Sequence, residues 1–194
     1  MSTRWSGCLT AGGDLSHCPA VPPSPPRLSG TRVILRAVEP GDRAILQAIL
    51  GDPSVARWWG PSRPDFDAAD DWLDTDPDTM VWTIEVDGAV AGSIQAAEES
   101  DPDYRHAAID LFLGPRHQGA GLGSDAIRTL ARWLFDVRGH HRITIDPSAA
   151  NDRAIRAYEA VGFRPVGVMR GYERGPDGAF HDGLLMDLLE DELR

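Results

Sequence analysis

Three groups of residues in this chain have the types and spacing to do chemistry. The first is Gln118-Gly119-Ala120-Gly121-Leu122-Gly123. Small residues let a backbone turn sharply and come close to a ligand, and several N–H groups then converge at the positive end of the helix that follows. That concavity suits a pyrophosphate, and Arg116 is near enough to add a charge-assisted contact. Rossmann proteins use a similar loop, but this one lies past the middle of the chain and after a hairpin signal. No Lys-Ser/Thr pair follows it, which excludes a nucleotide P-loop. The second group is a pair of aspartates. Asp110 interrupts the apolar run Ala107 to Leu113, where a carboxylate is costly unless it meets solvent or a cation. Asp146 ends another apolar run just before Pro147, a position that also suits a turn. The third group is Trp58-Trp59. Neighbours on a helix point about 100° apart, so one ring can join the core while the other lines a cleft. Aromatic walls suit sugar rings, and their faces suit ammonium groups.

The elements that must position these residues follow from periodicity and punctuation. Thr31 to Ala37 reads as a first strand, and Pro40-Gly41-Asp42 opens a helix with Ile45, Ala48 and Ile49 on one face. Asp52-Pro53 starts a second helix ending at Trp58-Trp59-Gly60-Pro61, and a short acidic helix covers Phe66 to Leu73. Met80 to Val86 and Ala89 to Ala96 flank Asp87-Gly88, the strongest hairpin signal in the chain. His106 to Leu113 is a strand, Gly114 to Gly123 a glycine-rich turn, and Ser124 to Val137 an amphipathic helix. His141 to Ile145 is a strand, and Asn151 caps a helix that runs to Val161 and stops at Gly162. Phe163 to Met169 and Leu184 to Leu189 close the sequence as strands. The expected fold is α/β, with helices against one central sheet.

Composition bounds the partners. Net charge is −11, all 19 basic residues are Arg, and residues 1–29 are net positive by one, so the remainder is still more acidic. Such a surface repels nucleic acid and acidic membranes and attracts a polycation. Surplus acid also simply keeps a protein soluble. Residues 1–29, rich in Gly, Ser and Pro, read as a disordered arm, with the folded domain over 30–194. No apolar run is long enough to span a membrane and no secretory signal is evident, so a cytoplasmic location is expected. Cys8 and Cys18 both lie in the arm, so the domain has no disulfide, Cys-based metal site or cysteine nucleophile. The six histidines show no metal spacing; His181 is a weak candidate for a cleft. The run Glu98-Glu99-Ser100-Asp101-Pro102-Asp103 reads as a solvated loop, or else as an acidic lip for a cationic ligand.

Gln118 to Gly123, followed by Asn151-Asp-Arg-Ala-Ile-Arg-Ala-Tyr158-Glu-Ala-Val-Gly162-Phe163, resembles the acetyl-CoA motif pair of the GNAT superfamily of N-acetyltransferases. The resemblance covers about residues 31–190. It implies a GNAT fold, with a central mixed, mostly antiparallel sheet flanked by helices. It implies that the amides of Gln118, Gly119, Ala120, Gly121, Leu122 and Gly123 cradle the coenzyme A pyrophosphate, that Asn151 contacts the cofactor, and that Tyr158 lies near its sulfur. A tyrosine there can protonate the leaving thiolate. A buried core tyrosine is the other reading of that residue.

A finer resemblance reaches the acceptor. Arg57-Trp58-Trp59-Gly60, Ala108-Ile109-Asp110 and Ile145-Asp146-Pro147-Ser148 are similar to three segments of aminoglycoside 6′-N-acetyltransferases. It implies that Asp110 and Asp146 face the acceptor, that Asp110 is a candidate general base, and that Trp58 and Trp59 line the acceptor cleft. The expected reaction is direct transfer from acetyl-CoA to a small polycationic amine. A backbone N–H near Phe112 or Leu113 polarises the thioester, Asp110 takes the ammonium proton and Tyr158 protonates the thiolate. No metal, nucleic acid or membrane is expected to take part, and the protein is expected to be a monomer or homodimer. The loop at 98–103 is shorter than in aminoglycoside-modifying enzymes. A siderophore precursor or a protein N-terminus is the alternative acceptor, and a non-catalytic acyl-CoA-binding module the alternative class.

Overall fold

The computed structural model describes residues 24–59, 72–73 and 78–194. Its strands are β1 (Leu28–Ser29), β2 (Ile34–Ala37), β3 (Thr79–Val86), β4 (Ala89–Glu99), β5 (His106–Leu113), β6 (Arg142–Ile145), β7 (Arg164–Arg174) and β8 (Phe180–Leu189). Its helices are α1 (Asp42–Leu50), α2 (Pro53–Trp59), α3 (Leu122–Asp136) and α4 (Asp152–Glu159). The strands form one sheet in the order β1-β2-β3-β4-β5-β6-β8-β7. Every neighbouring pair is antiparallel except β5 with β6. This is the expected mixed, mostly antiparallel sheet. Asp87 and Gly88 both take positive φ, 50° and 78°, as a two-residue hairpin requires.

Over its central strands the sheet buries both faces, while β7 at the edge is largely exposed. α3 lays Ala126, Ile127, Leu130, Ala131 and Leu134 against Trp82, Ile94, Ile109, Ile143 and Met186. On the other face Leu46, Leu50, Val55 and Trp72 meet Val81 and Phe112. Adjacent residues of β3, Val81 and Trp82, serve opposite clusters, the period of two that a strand imposes.

Several boundaries differ from the sequence reading. The buried stripe of α1 is Asp42, Leu46 and Leu50, and Ile45 is 44% exposed. Asp42 sets that rotation. Its carboxylate accepts two bonds from Arg36, at 2.6 and 2.9 Å, and one from Thr83 at 2.8 Å, so the buried end of the helix is polar and fully bonded. The first strand is shorter than Thr31 to Ala37, because the N–H groups of Thr31, Arg32 and Val33 turn onto the Asp125 carboxylate at 3.2, 2.7 and 3.1 Å. The boundary at residue 30 sits too late: Leu28 and Ser29 pair with Leu35 and Ile34, and Trp82 Nε1 donates to Pro26 O at 2.8 Å. α3 begins at Leu122, two residues before Ser124, because Gly121 in the left-handed region forms its N-cap. The closing strands extend well beyond Met169 and start well before Leu184. Residues 1–23 and most of the acidic helix expected over 66–73 lie outside the described residues; Trp72 and Leu73 are helical.

One feature of the register positions the site. β5 pairs with β4 along its whole length, to Gly92 opposite Leu113. Its pairing with β6 stops after Ala107–Ile143 and Ala108–Thr144, while β6 stays with β8 to Ile145 opposite Met186. Beyond Ala108 the two halves of the sheet therefore part, and a notch opens between them. Asp110 follows on one side of the parting and Asp146 ends the other.

Candidate active site

The loop on the β5 side of the notch is built through its backbone. Gly114 N–H donates to Ala91 O at 2.9 Å and extends the β4 pairing by one bond. Pro115 to His117 make one 3₁₀ turn, and Gln118 Nε2 reaches back to Leu113 O at 2.7 Å. Gly119 and Gly121 hold φ near +76° and +78°, which only glycine adopts without strain, and a Cβ on either would meet nothing within 4 Å. The concavity is therefore open on the side where these glycines lack side chains. The first amide to close a bond at the start of α3 is Asp125, to Gly121 O at 3.0 Å. The amides before it are those that helix geometry leaves for a ligand or solvent. A pyrophosphate fits this arrangement by charge and by space. Arg116 is exposed on the preceding turn. Arg32 Nη1 braces the loop from outside by donating to Ala120 O at 2.6 Å.

Not every residue of the expected cradle offers an amide. Gln118 N–H already turns to Pro115 O, at 3.4 Å, and its side chain ties the loop to β5. Leu122 contributes its helix-start amide, while its side chain is buried in the core. Phe112 does not face the notch either. Its ring is 3% exposed and packs on Trp59 and Trp72. Because Gly114 N–H points at β4, strand alternation turns Phe112 N–H the same way and leaves Leu113 N–H facing the notch. Asn151 caps α4, its Oδ1 accepting from Ala154 N–H at 3.2 Å, which leaves its amide nitrogen for any further contact.

The other side of the notch is built from side chains. Asp110 is half-buried and accepts one long bond, 3.3 Å, from Gln95 Nε2. Burial, with the neighbouring charges of Asp146 and Glu173, pushes its carboxyl up to about 6. Burial also raises Asp146, and a hydrogen bond from the Tyr172 hydroxyl opposes that rise. Tyr158 is held well above the usual phenol range by burial and by the charges of Asp110 and Asp146, so it keeps its proton at neutral pH. The Pro147–Ala150 segment after Asp146 is zipped to β8: Leu184 N–H donates to Pro147 O and Ala149 N–H to Asp182 O, both at 2.8 Å.

Beside the aspartates lies a cavity of about 310 Å³ whose lining includes Arg57, Trp58, Ser148, Glu173, Asp177 and His181. Glu173 links it to the notch, since burial and then the Asp146 charge raise its carboxyl. The two tryptophans divide as helix geometry requires. Trp58 lines the cavity, with the Arg57 guanidinium 4.4 Å over its ring. Trp59 turns away and packs edge-on against Trp72 at 5.1 Å, so it belongs to the apolar cluster and not to the cleft. The acidic run at 98–103 does not line this cavity, so its alternative reading as a lip of the site is not met. Glu98 lies in β4, bonded to His140 Nε2 at 2.7 Å and to Arg138 Nε at 3.1 Å. His181 does line the cavity, with Nε2 on Asp177 at 2.9 Å.

Tyr172, Glu173 and Asp177 escaped the sequence reading because residues 170–183 show neither alternation nor helical period. Tyr-Glu directly after Gly171 was the available signal. Among the described residues no group of three or more His, Cys, Asp and Glu is arranged to hold a metal, and no helix is long and apolar enough to cross a membrane.

The family described as acetyltransferase (GNAT) domain matches residues 32–164. Aminoglycoside N(6′)-acetyltransferase type 1 of Klebsiella pneumoniae is 31% identical over 168 residues, covering 77% of this chain and 81% of that one. Spermidine N(1)-acetyltransferase of Escherichia coli strain K12 is 24% identical over 166 residues, covering 84% and 88%. The structure of AAC(6′)-Ib in complex with ribostamycin and coenzyme A superposes with a TM-score of 0.67 at 27% identity, over 83% of this chain and 95% of that one.

Proposed function

Because the chain belongs to the GNAT acetyltransferases and so transfers the acetyl group of acetyl-CoA to an amine, we propose that its acceptor is the 6′-amine of an aminoglycoside. The observation that carries this reading is the pair Asp110 and Asp146 on the two sides of the notch, coupled to Glu173 beside a cavity walled by Trp58. The Asp146 charge raises the proton affinity of both Asp110 and Glu173, and Glu173 raises that of Asp110, so the site is short of positive charge and a polyammonium ligand supplies it. The similarity to an enzyme named for the 6′-amine supports the same acceptor.

Acetyl-CoA supplies the activated acetyl group. The amides of Gly119 to Gly123 bind its pyrophosphate, with Arg116 adding charge, and the Asn151 amide nitrogen faces the same ligand. Leu113 N–H is the donor placed to hold an oxygen in the notch. An aminoglycoside amine arrives protonated, so one residue must both attract it and take its proton. Asp110 does both: it is ionised at neutral pH, and a proton affinity near 6 makes it a far better acceptor than an ordinary aspartate. Asp146 stays beside it as a fixed negative charge. Tyr158, still protonated, is the donor available to the departing sulfur.

A polyamine is the second reading, favoured by the similarity to spermidine acetyltransferase. Coenzyme A release with kanamycin, with an analogue bearing a 6′-hydroxyl and with spermidine separates the two. The proposal expects turnover with kanamycin, none with the hydroxyl analogue, and kcat/KM for spermidine lower by tenfold or more. Turnover of spermidine with kanamycin inert would make the polyamine the acceptor.

A further inference from the structure

Two elements wall the cavity beside the aspartates: the end of α2 supplies Arg57 and Trp58, and the β7–β8 hairpin supplies Glu173, Asp177 and His181. The hairpin wall is acidic. Asp177 lies 2.9 and 3.0 Å from His181 Nε2 through its two oxygens and accepts Ala179 N–H at 3.0 Å. These bonds hold its carboxyl below the usual carboxylate range, so it stays ionised.

The α2 wall answers that acid with a cation of the protein's own. Arg57 is exposed and Trp58 half-buried, and residues adjacent on a helix leave it about 100° apart. The Arg57 side chain nevertheless bends back, and its Cζ lies 4.4 Å from the centroid of the Trp58 ring. That is inside the roughly 6 Å over which an aromatic face attracts a cation, and tryptophan offers the strongest such face. A guanidinium is flat and weakly hydrated, which suits stacking. The aromatic face that Trp58 offers the cavity is thus already held by a cation. An ammonium group or a sugar ring that enters needs the same face.

We propose that Arg57 is a specificity-determining residue of the acceptor cavity: its guanidinium sits on Trp58 as a built-in cation, and an acceptor gains that face only by displacing it. This rests on the reading of the acceptor as a polyammonium compound. A ligand's apparent affinity falls by the fraction of molecules in which its seat is free, so Arg57 weakens every acceptor that uses the ring. An acceptor with several ammonium groups recovers that loss, because one group meets the aspartates of the notch while another takes the ring beside Glu173 and Asp177. A monoamine that reaches only the notch gains nothing from the cavity. Displacement is open to Arg57, since it stands at an exposed helix position on a long stem that lets its head swing into water.

The test measures calorimetric affinity for kanamycin and for spermidine, with one readout that needs no variant. In the free wild-type protein the Arg57 Nε–H signal should lie upfield in the NMR spectrum, under the ring current of Trp58, and saturating kanamycin should return it to the position of an exposed arginine. Arg57→Ala, a change that suits a helix, should bind kanamycin about threefold or more tightly, the scale of a lost cation–π competitor. Arg57→Lys keeps a charge that stacks less well and should fall between. In a Trp58→Leu background, where the face is gone, Arg57→Ala should tighten binding much less. Kanamycin bound equally or more weakly by Arg57→Ala, an equal gain with and without Trp58, or a bound complex in which the Arg57 signal has not moved would each overturn the proposal and leave the aminoglycoside reading standing. The same gains with spermidine, and kanamycin bound by no variant, would support the role of Arg57 and overturn the aminoglycoside reading.

Discussion

The two sides of the notch are made in different ways. The proposed donor side is one uninterrupted stretch, from Leu113 through the glycine turn into α3, and it is built from amides, positive φ and a helix start. The proposed acceptor side is assembled from α2, β5, the segment after β6 and the β7–β8 hairpin, and it is built from side chains. A backbone site tolerates little change in residue type at its glycines and almost any side chain elsewhere. A side-chain site is fixed only when several distant segments fold against one another. Damage to the two sides should therefore be separable, in stability and in which ligand is lost.

The largest effect expected is on stability, where the acceptor side borders the core. Trp59→Ala removes a ring stacked edge-on against both Trp72 and Phe112 and should cost about 3 kcal/mol in denaturant unfolding. Its neighbour draws the contrast. Trp58→Ala should change stability by less than about 0.5 kcal/mol, yet raise the Michaelis constant for the amine. Equal losses of stability in the two variants would erase the division of the tryptophans between core and cleft.

Next comes the donor side. Gly121→Val forces a β-branched residue to a φ near +78°, which costs about 1–2 kcal/mol, and puts a Cβ into the open concavity. Calorimetry should show acetyl-CoA affinity reduced tenfold or more in a protein that still folds, with no change at the acidic cavity. Unchanged affinity would remove the loop from the donor site.

These contrasts also explain what the sequence could convey. The glycine loop was legible because its function depends on contiguous residues whose types are restricted by φ. The hairpin at Asp87-Gly88 and the cap at Asn151 were legible for the same local reason. The aspartates were legible because a charge in an apolar run is conspicuous. The two extra residues that β7 carries between Met169 and Glu173 were not, because they register only against the partner strand. Nor was the inward face of α1: Asp42 reads as a polar helix start, and only its bonds to Arg36 and Thr83 make it the buried residue. The anchoring of residues 24–33 was hidden in the same way, since Asp125 and Trp82 reach them across long stretches of chain.

That anchoring gives the smallest expected loss of acetyl-CoA affinity. Asp125→Ala leaves the amides of Thr31, Arg32 and Val33 without their acceptor and should cost about 1–2 kcal/mol. It also loosens Arg32, the outer brace of Ala120, so acetyl-CoA should bind a few times more weakly while the amine binds as before. A weaker amine with an unaffected donor would mean that the two sides are not separable.

The central claim is that the Asp110 carboxylate is the base of the notch, and the pH dependence of kcat/KM for kanamycin tests it most directly. Asp110 acts when ionised, and its proton affinity is raised to about 6, so the wild-type enzyme should lose activity as pH falls through that value. Asp110→Asn keeps the shape and cannot titrate. It should lower kcat by a factor of about 10²–10⁴ with acetyl-CoA affinity unchanged, and the residual activity should lack the acid limb near pH 6. The same acid limb, at nearly wild-type rate, in Asp110→Asn would contradict the account.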